Sequence, residues 1–222
     1  MRSIVTAMTL TLLTAAPLLA QSERGYLNGA GGFTTTSETT SGDYLIEGGW
    51  RIAPNLMVFG NFGQYHNLQP SDVQPAVDTT TGLLSTSLGL TVTGTARVPA
   101  TYSVGGLRYQ IPMSTHFTPY VLGGVGFAHL SPNADFTFNS GTGTLPDGST
   151  PTAGANVTAA LVSAGDFTAP PASTVFMYTL GGGVEVPVAT HWAADIGYRF
   201  SRIEADDPLN AQGLTFGFGY RF

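Results

Sequence analysis

The sequence contains no cysteine and no lysine, and only 10% of its 222 residues are charged. Without cysteine, the chain has no disulfide framework, no thiolate chemistry and no cysteine for a lipid anchor. Soluble domains usually carry about 25% charged residues, which cover their surface. The low value here favours a protein whose outer surface faces lipid. The formal net charge of −6 argues against a nucleic-acid partner, because nothing in the chain could neutralise a row of phosphates.

Long apolar runs are also missing after the first 20 residues. No later window approaches 18 continuous apolar residues, so helical spans are excluded and only a closed sheet could satisfy its backbone in a bilayer. In residues 1–20, Arg2 precedes an apolar stretch that ends in small residues before the polar Gln21. We predict a signal peptide over residues 1–20, cleaved within a few residues of Ala20, and a single domain over 21–222. An uncleaved anchor is the alternative, but the run is shorter than the roughly 20 residues a spanning helix needs.

The pattern that stands out is the strict alternation of residues 213–222. One set is apolar and the other is small or polar: Leu214, Phe216, Phe218, Tyr220 and Phe222 against Gly213, Thr215, Gly217, Gly219 and Arg221. Successive side chains of a strand point to opposite faces, so one face suits lipid and the other a polar interior. A soluble sandwich also alternates, but it would hide its aromatics in a core. Similar alternation predicts eight strands, over residues 25–35, 43–51, 55–65, 101–111, 117–130, 174–186, 191–202 and 211–222.

The connections between these strands alternate in length. Short proline-bearing turns follow strands two, four and six, whereas polar and mostly longer connections follow the others, including residues 67–100 and 131–173. This arrangement is typical of bacterial outer-membrane barrels, with the short turns in the periplasm. We therefore predict an all-β fold, an eight-stranded antiparallel transmembrane β-barrel with up-and-down meander topology, both termini in the periplasm and the long loops outside. Within those loops, residues 85–94 and 135–138 are expected to extend the barrel as hairpins, and 139–171 to be mobile.

Two sets of residues are predicted to have separate places in such a barrel. Charged residues of the inward face should form a network across the lumen, because a buried charge persists only when it is paired or hydrated: Glu47, Arg51, Arg108, Glu185, Asp195, Arg199 and Arg221. An eight-stranded interior is just wide enough for side chains, which favours a plug over a gate or an ion path. Aromatic residues near the short turns are predicted to form an interfacial belt: Trp50, Tyr109, Tyr120 and Trp192.

No residue pattern points to catalysis, a cofactor or a metal. The four histidines are scattered without metal-ligand spacing: His66, His116, His129 and His191. His129 and Ser131 could share a strand face as base and nucleophile, but Pro132 follows at once and the nearest acid, Asp135, lies in a loop. Asp206 and Asp207 could bind a divalent cation weakly, although a solvated acidic turn is the simpler interpretation. We predict that the protein is not an enzyme.

Two segments carry a family resemblance. Residues 118–127 contain a Pro-Tyr-x-x-x-Gly strand, and residues 219–222 read Gly-Tyr-Arg-Phe. With the signal and the strand pattern, the chain resembles the small outer-membrane barrels of the OmpA, OmpX and opacity type. The resemblance implies an integral outer-membrane protein whose partners are membrane lipid and the barrel-assembly machinery. That machinery would read the C-terminal aromatic residues Phe216, Phe218, Tyr220 and Phe222.

The resulting functional expectation is a monomer with a structural or adhesion-like role, loops exposed outside and a blocked interior. An unidentified extracellular ligand would bind the loops, since loops on a rigid scaffold usually carry binding. The alternative is a small passive pore or a carrier of small hydrophobic solutes. A hydrolase that modifies lipid A comes third, because the His-x-Ser triplet at 129–131 is similar to that of lipid A deacylases.

Overall fold

The structure is a computed structural model that describes residues 24–68, 73–113, 117–145, 148–168 and 170–222. The predicted signal peptide and His116 lie outside these ranges. The described residues form ten strands and two helices: β1 Gly25–Thr35, β2 Thr40–Ala53, β3 Leu56–Tyr65, α1 Val73–Leu88, β4 Leu90–Arg97, β5 Ala100–Gln110, β6 Thr118–Leu130, β7 Asn133–Gly141, α2 Thr158–Ala164, β8 Ser173–Ala189, β9 Trp192–Ile203 and β10 Leu209–Arg221. Neither described helix has the length and apolar character needed to cross a membrane.

Eight of the strands form a closed antiparallel barrel in the order β1-β10-β9-β8-β6-β5-β3-β2. Each barrel strand pairs with the barrel strands before and after it in the chain, so the topology is an up-and-down meander. The seam is closed by β1 and β10, where Gly25 N donates to Phe222 O at 2.9 Å and Phe222 N donates to Gly25 O at 3.0 Å. The predicted eight-stranded barrel is confirmed. Closure leaves the barrel sheet without an open edge, as a sheet in a bilayer requires.

The two faces of the barrel wall differ as the alternation predicts. On β10, Thr215 is 2% exposed inside the barrel, whereas its neighbour Phe216 is 52% exposed on the outside. On β2, Glu47 is fully buried and Ile46 is 61% exposed. The outer surface is an apolar belt, and the inner surface carries most of the polar side chains of the strands. The structure also gives the register of β1, β3 and β6, which the sequence leaves open.

The connections define two ends of the barrel. At the short-turn end, β2 joins β3 through Pro54 and Asn55, whose φ of 62° is a left-handed conformation that asparagine tolerates. The turn predicted at residues 187–190 is shorter than expected, because β8 continues through Pro187 to Ala189. The pairing with β9 shifts register between Pro187 and Ala189. Proline has no N–H to donate to a neighbouring strand, so it is tolerated at such an irregularity.

At the long-loop end, the two long connections fold together into a unit that we call the cap, composed of α1, β4, β7 and α2. Strands β4 and β7 pair antiparallel from Leu90 opposite Gly141 to Arg97 opposite Asn133. The prediction of separate hairpins is therefore wrong: Ser85 to Leu88 are helical, and the two cap strands come from different loops. The helix forms because Val77, Thr80 and Leu84 share one face and are buried against the cap sheet.

The segment expected to be mobile, 139–171, belongs largely to this cap. Phe136 is fully buried and makes an edge contact with Phe167 at 5.0 Å between ring centroids. The outer edge of β7 is paired by the chain after it, since Phe138 N donates to Ala155 O and Val157 N to Phe136 O, each at 2.9 Å. Helix α2 then ends at Gly165, whose φ is 81°.

The cap closes the long-loop end of the barrel. Leu68 N donates to Val98 O at 2.9 Å within the first loop, and Ser131 N donates to Pro99 O at 3.0 Å, which joins the two loops where they leave the barrel. The side chains beneath them are 0% exposed: Leu68, Val98, Met177 and Ile203. The apolar core of the cap is continuous with the upper interior of the barrel.

The apolar belt predicts a position-dependent cost for an added charge. Phe216→Arg should lower the free energy of unfolding by about 2 to 4 kcal/mol if the site lies near the bilayer midplane. Leu83→Arg is the matched control, because Leu83 is similarly exposed, at 60% against 52% for Phe216, but lies on the cap. Its change should stay within about 0.5 kcal/mol, as for an ordinary surface site. Urea titration of protein refolded in lipid vesicles measures both, and equal costs would contradict this placement of the belt.

Candidate functional site

The barrel interior holds a cluster of charged side chains centred on Arg108 of β5. Its guanidinium lies 3.4 Å from Glu47, 2.9 Å from Glu185 and 3.5 Å from Asp195. The side chain is only 2% exposed, so these three carboxylates replace the water that would otherwise solvate the Arg108 guanidinium.

Two further arginines share those carboxylates. Arg199 Nη2 lies 2.6 Å from Glu47 Oε2, and Arg221 reaches Glu185 Oε1 through Nε at 2.7 Å and Nη2 at 2.6 Å. Three arginines therefore meet three carboxylates, which balances the formal charge of the cluster. Short charge-assisted contacts of this kind are the strong ones, especially away from water.

Neutral side chains complete the cluster. Tyr26 OH donates to Glu47 at 2.7 Å, Tyr120 OH donates to Asp195 at 2.9 Å, and Asn61 Nδ2 lies 3.5 Å from Glu47. The two tyrosine rings also flank Arg108, with their centroids 4.8 Å and 3.6 Å from its Cζ. Cation–π contacts add to ion pairing where the cation is desolvated. With these residues, each of the eight barrel strands contributes at least one side chain to the cluster.

Glycines make the room that these tyrosines occupy. A Cβ at Gly49 would collide with the ring of Tyr26, and one at Gly183 would come within 2.6 Å of the Tyr120 hydroxyl. Gly49 of β2 and Gly183 of β8 therefore place no side chain where an interior ring lies against the wall.

A second polar layer lies nearer the long-loop end. Asp43 accepts from Tyr102 OH at 3.1 Å and from Thr34 at 3.5 Å. Tyr102 stacks on Tyr65 at 4.5 Å, and Tyr65 OH donates to Ser201 at 3.2 Å. This layer joins the charged cluster below to the apolar closure above.

Two predicted positions need correction. Tyr120 is not an interfacial aromatic, because it is 3% exposed and points into the barrel. Arg51 lies at the exposed rim of the short-turn end, where it contacts Gln110 at 3.4 Å, and among the described ion pairs it has none with the cluster. Both follow from position: Tyr120 falls on the inward phase of β6, whereas Arg51 is too close to the end of β2 to be enclosed.

The remaining predicted aromatics lie on the outer surface. Trp50, Tyr109 and Trp192 are 38%, 44% and 44% exposed. The residues of the predicted assembly signal lie among them at the short-turn end: Trp192 stacks on Phe218 at 5.0 Å, and Trp50 lies 6.3 Å from Phe222. Phe216 and Tyr220 occupy the same outward phase of β10.

Two cavities within the barrel adjoin the charged cluster, and both are small. Their volumes are about 10 Å³ beside Arg108 and Asp195, and about 20 Å³ near Arg51 and Arg221. A single water needs about 10 to 15 Å³. Each cavity is therefore of the size of one water rather than of a solute.

Larger cavities lie outside the barrel wall. A groove of about 370 Å³ runs between α1 and the end of α2, and is lined by Thr80, Leu83, Leu84, Ser87, Leu88, Ala164 and Asp166. A second cavity of about 170 Å³ lies at the barrel rim and includes Asp206 and Asp207. The structure thus places its ligand-sized spaces in and beside the cap.

The described hydrogen bonds of the possible base and nucleophile go to other partners. His129 faces outward on β6, with its Nδ1 2.9 Å from Thr174 Oγ1, while Ser131 lies beyond the strand and its N–H donates to Pro99 O. Among the described residues, no three histidine, aspartate or glutamate side chains are grouped so that they could hold a metal ion.

A closed barrel with an apolar outer belt and a charged, paired interior defines a small transmembrane β-barrel. The chain belongs to the family described as outer membrane protein beta-barrel domain, which matches residues 5–222. It is accordingly an integral protein of the outer membrane, surrounded by membrane lipid.

Several solved structures are similar to this chain at low sequence identity. Neisserial surface protein A (NspA) has a TM-score of 0.52 and 14% identity, covering 90% of this chain and 98% of that one. Ail, the attachment invasion locus protein of Yersinia pestis, has a TM-score of 0.45 and 14% identity, covering 90% and 97%. The N-terminal barrel domain of Pseudomonas aeruginosa OprF has a TM-score of 0.45 and 12% identity, covering 90% and 100%. A comparison with curated proteins gives no match.

The charged cluster predicts a large difference between two arginine deletions. Arg108→Ala should destabilise the refolded protein by about 3 to 5 kcal/mol, because it leaves three buried carboxylates short of a partner. Arg202→Ala removes a pair with Glu204 whose side chains are 34% and 40% exposed, and should cost at most about 1 kcal/mol. Urea unfolding followed by tryptophan fluorescence measures the free energy of unfolding of both variants. Equal losses would show that the interior pairs contribute no more than a surface pair.

Proposed function

We propose that this protein is a non-conducting outer-membrane barrel whose cap interacts with partners outside the cell. The observation that carries the proposal is the interior cluster, in which side chains from all eight strands meet across the lumen around Arg108. The role is structural or adhesion-like rather than catalytic, because the interior is filled and the His129 ring pairs with Thr174 rather than with Ser131.

The orientation and biogenesis belong to the same proposal. A signal peptide over residues 1–20 directs export, both termini lie in the periplasm, and the cap lies outside, since the short turns of such barrels face the periplasm. The assembly machinery reads the outward aromatics of the last strand: Phe216, Phe218, Tyr220 and Phe222. The closed seam and the single closed sheet support a monomer within the membrane.

Conductance tests the blocked interior. Protein refolded in a planar bilayer should give no discrete current steps, because cavities of about 10 and 20 Å³ do not form a path for ions. A heat-dependent gel shift verifies that the silent sample is folded, and a pore-forming barrel in the same bilayer verifies detection. Reproducible steps from the folded protein would replace this proposal with the passive pore.

Labelling of introduced cysteines tests the side on which the cap lies, and the absence of native cysteine leaves no background. Ser85→Cys on α1 should react with a membrane-impermeant maleimide on intact cells, because the residue is exposed on the cap. Ala189→Cys, exposed at the short-turn end, should react only after the outer membrane is permeabilised. The opposite pattern would place the cap in the periplasm and overturn the surface role.

A further inference from the structure

The cap has one apolar groove that the barrel fold does not require. It lies between the last two turns of α1 and the end of α2, with a volume of about 370 Å³. Leu84 is buried at its wall, whereas Leu83 and Leu88 are 60% and 37% exposed along it. Its size is in the range of pockets that enclose a ligand or a protruding side chain.

Its exposed leucines cannot be explained by lipid. On β2, β3, β5, β6 and β8, the outward face near the long-loop end carries a row of polar residues that pair side by side: Tyr44, Gln64, Thr101, His129 and Thr174. The cap begins beyond this row, so Leu83 and Leu88 lie outside the apolar belt. In the described part of the cap, the exposed large apolar residues are these two and Val162 of α2. An exposed apolar surface of this kind in water usually marks an interaction site.

The charges around the groove have one sign. Asp166 lines it, and Asp78 is exposed on α1. The described cap contains one basic residue, Arg97. Arg97 lies on the opposite face of the cap sheet, because it alternates with the exposed threonines of β4 while Gly94 of the inward phase faces Val77 of α1. An occupant of the groove therefore meets the carboxylate of Asp166 and, among the described lining residues, no basic side chain.

We propose that this groove binds a basic, amphipathic peptide segment of a partner protein, with an apolar side chain of that segment seated against Leu83, Leu84 and Leu88. Lysine or arginine residues beside the anchor face Asp166. The apolar anchor supplies affinity, and the carboxylate of Asp166 selects against acidic segments and speeds the encounter. The inference rests on the proposed surface role and specifies the chemistry of the partner.

A model peptide tests the groove directly. The probe is a 14-residue fluorescent peptide of leucine and lysine with amphipathic helical spacing, titrated against the protein in nanodiscs of zwitterionic lipid, with empty nanodiscs subtracted. Wild type should bind, and Leu83→Gln should weaken binding at least about tenfold because the anchor loses its apolar wall. Ser85→Gln, on the outward face of the same helix, should bind as wild type. Asp166→Asn should weaken binding less and reduce its salt dependence.

Several results would overturn the inference. These are wild-type binding no stronger than to empty nanodiscs, equal binding by Leu83→Gln, or equal binding of a peptide with glutamate in place of lysine. Dimers that sedimentation detects for wild type but not for Leu83→Gln would assign the groove to a second copy instead. Nanodiscs expose both ends of the barrel, so a failed titration disproves the groove alone, whereas the cysteine labelling decides the side of the cap.

Discussion

The structure depends on keeping charge inside a closed, narrow sheet. Arg108 can be enclosed only because Glu47, Glu185 and Asp195 converge on it from three other strands, and because two more arginines balance those carboxylates. Burying any member alone would cost several kcal/mol. Shared partners offset that cost, so the interior is stable as a set rather than as independent pairs. The glycines of the wall and the inward tyrosines follow from the same need to surround the guanidinium closely.

The charged cluster fills the middle of the barrel interior, and the cap closes its long-loop end. Above the cluster, the interior changes from ion pairs to hydroxyl contacts around Asp43 and then to apolar side chains beneath the loops. The loops are therefore part of the barrel's closure, and the groove lies on their outer surface. Two unlike surfaces result: a belt that lipid covers, and a cap that presents leucines and carboxylates to water.

Alternation and charge predicted most of the barrel, because both reflect which side of a wall a residue faces. The same signals failed where the position of a residue depends on a partner that is distant in the sequence. Tyr120 lies near a turn in the sequence, which predicts an interfacial residue. Gly183 and Gly197 leave space for its side chain inside the barrel. The pairing of β4 with β7 joins two loops that are separated by β5 and β6, so no local sequence pattern predicts this pairing. Helix α1 is obscured by its many threonines and serines, although Val77, Thr80 and Leu84 carry a helical period. The groove could not be predicted from the sequence, since it exists only once the end of α2 lies near α1 in the folded cap.

The seam between β1 and β10 has a consequence for biogenesis. Tyr26 lies on the first strand and Arg221 on the last, and the contact of Arg199 with Glu47 spans 152 residues. An incomplete sheet would hold Glu47 and Glu185 without their full set of partners, so it gains little from early pairing and must keep its inner face hydrated. We therefore expect much of the stability of the interior to appear only when β10 pairs with β1, a pairing between residues far apart in the chain.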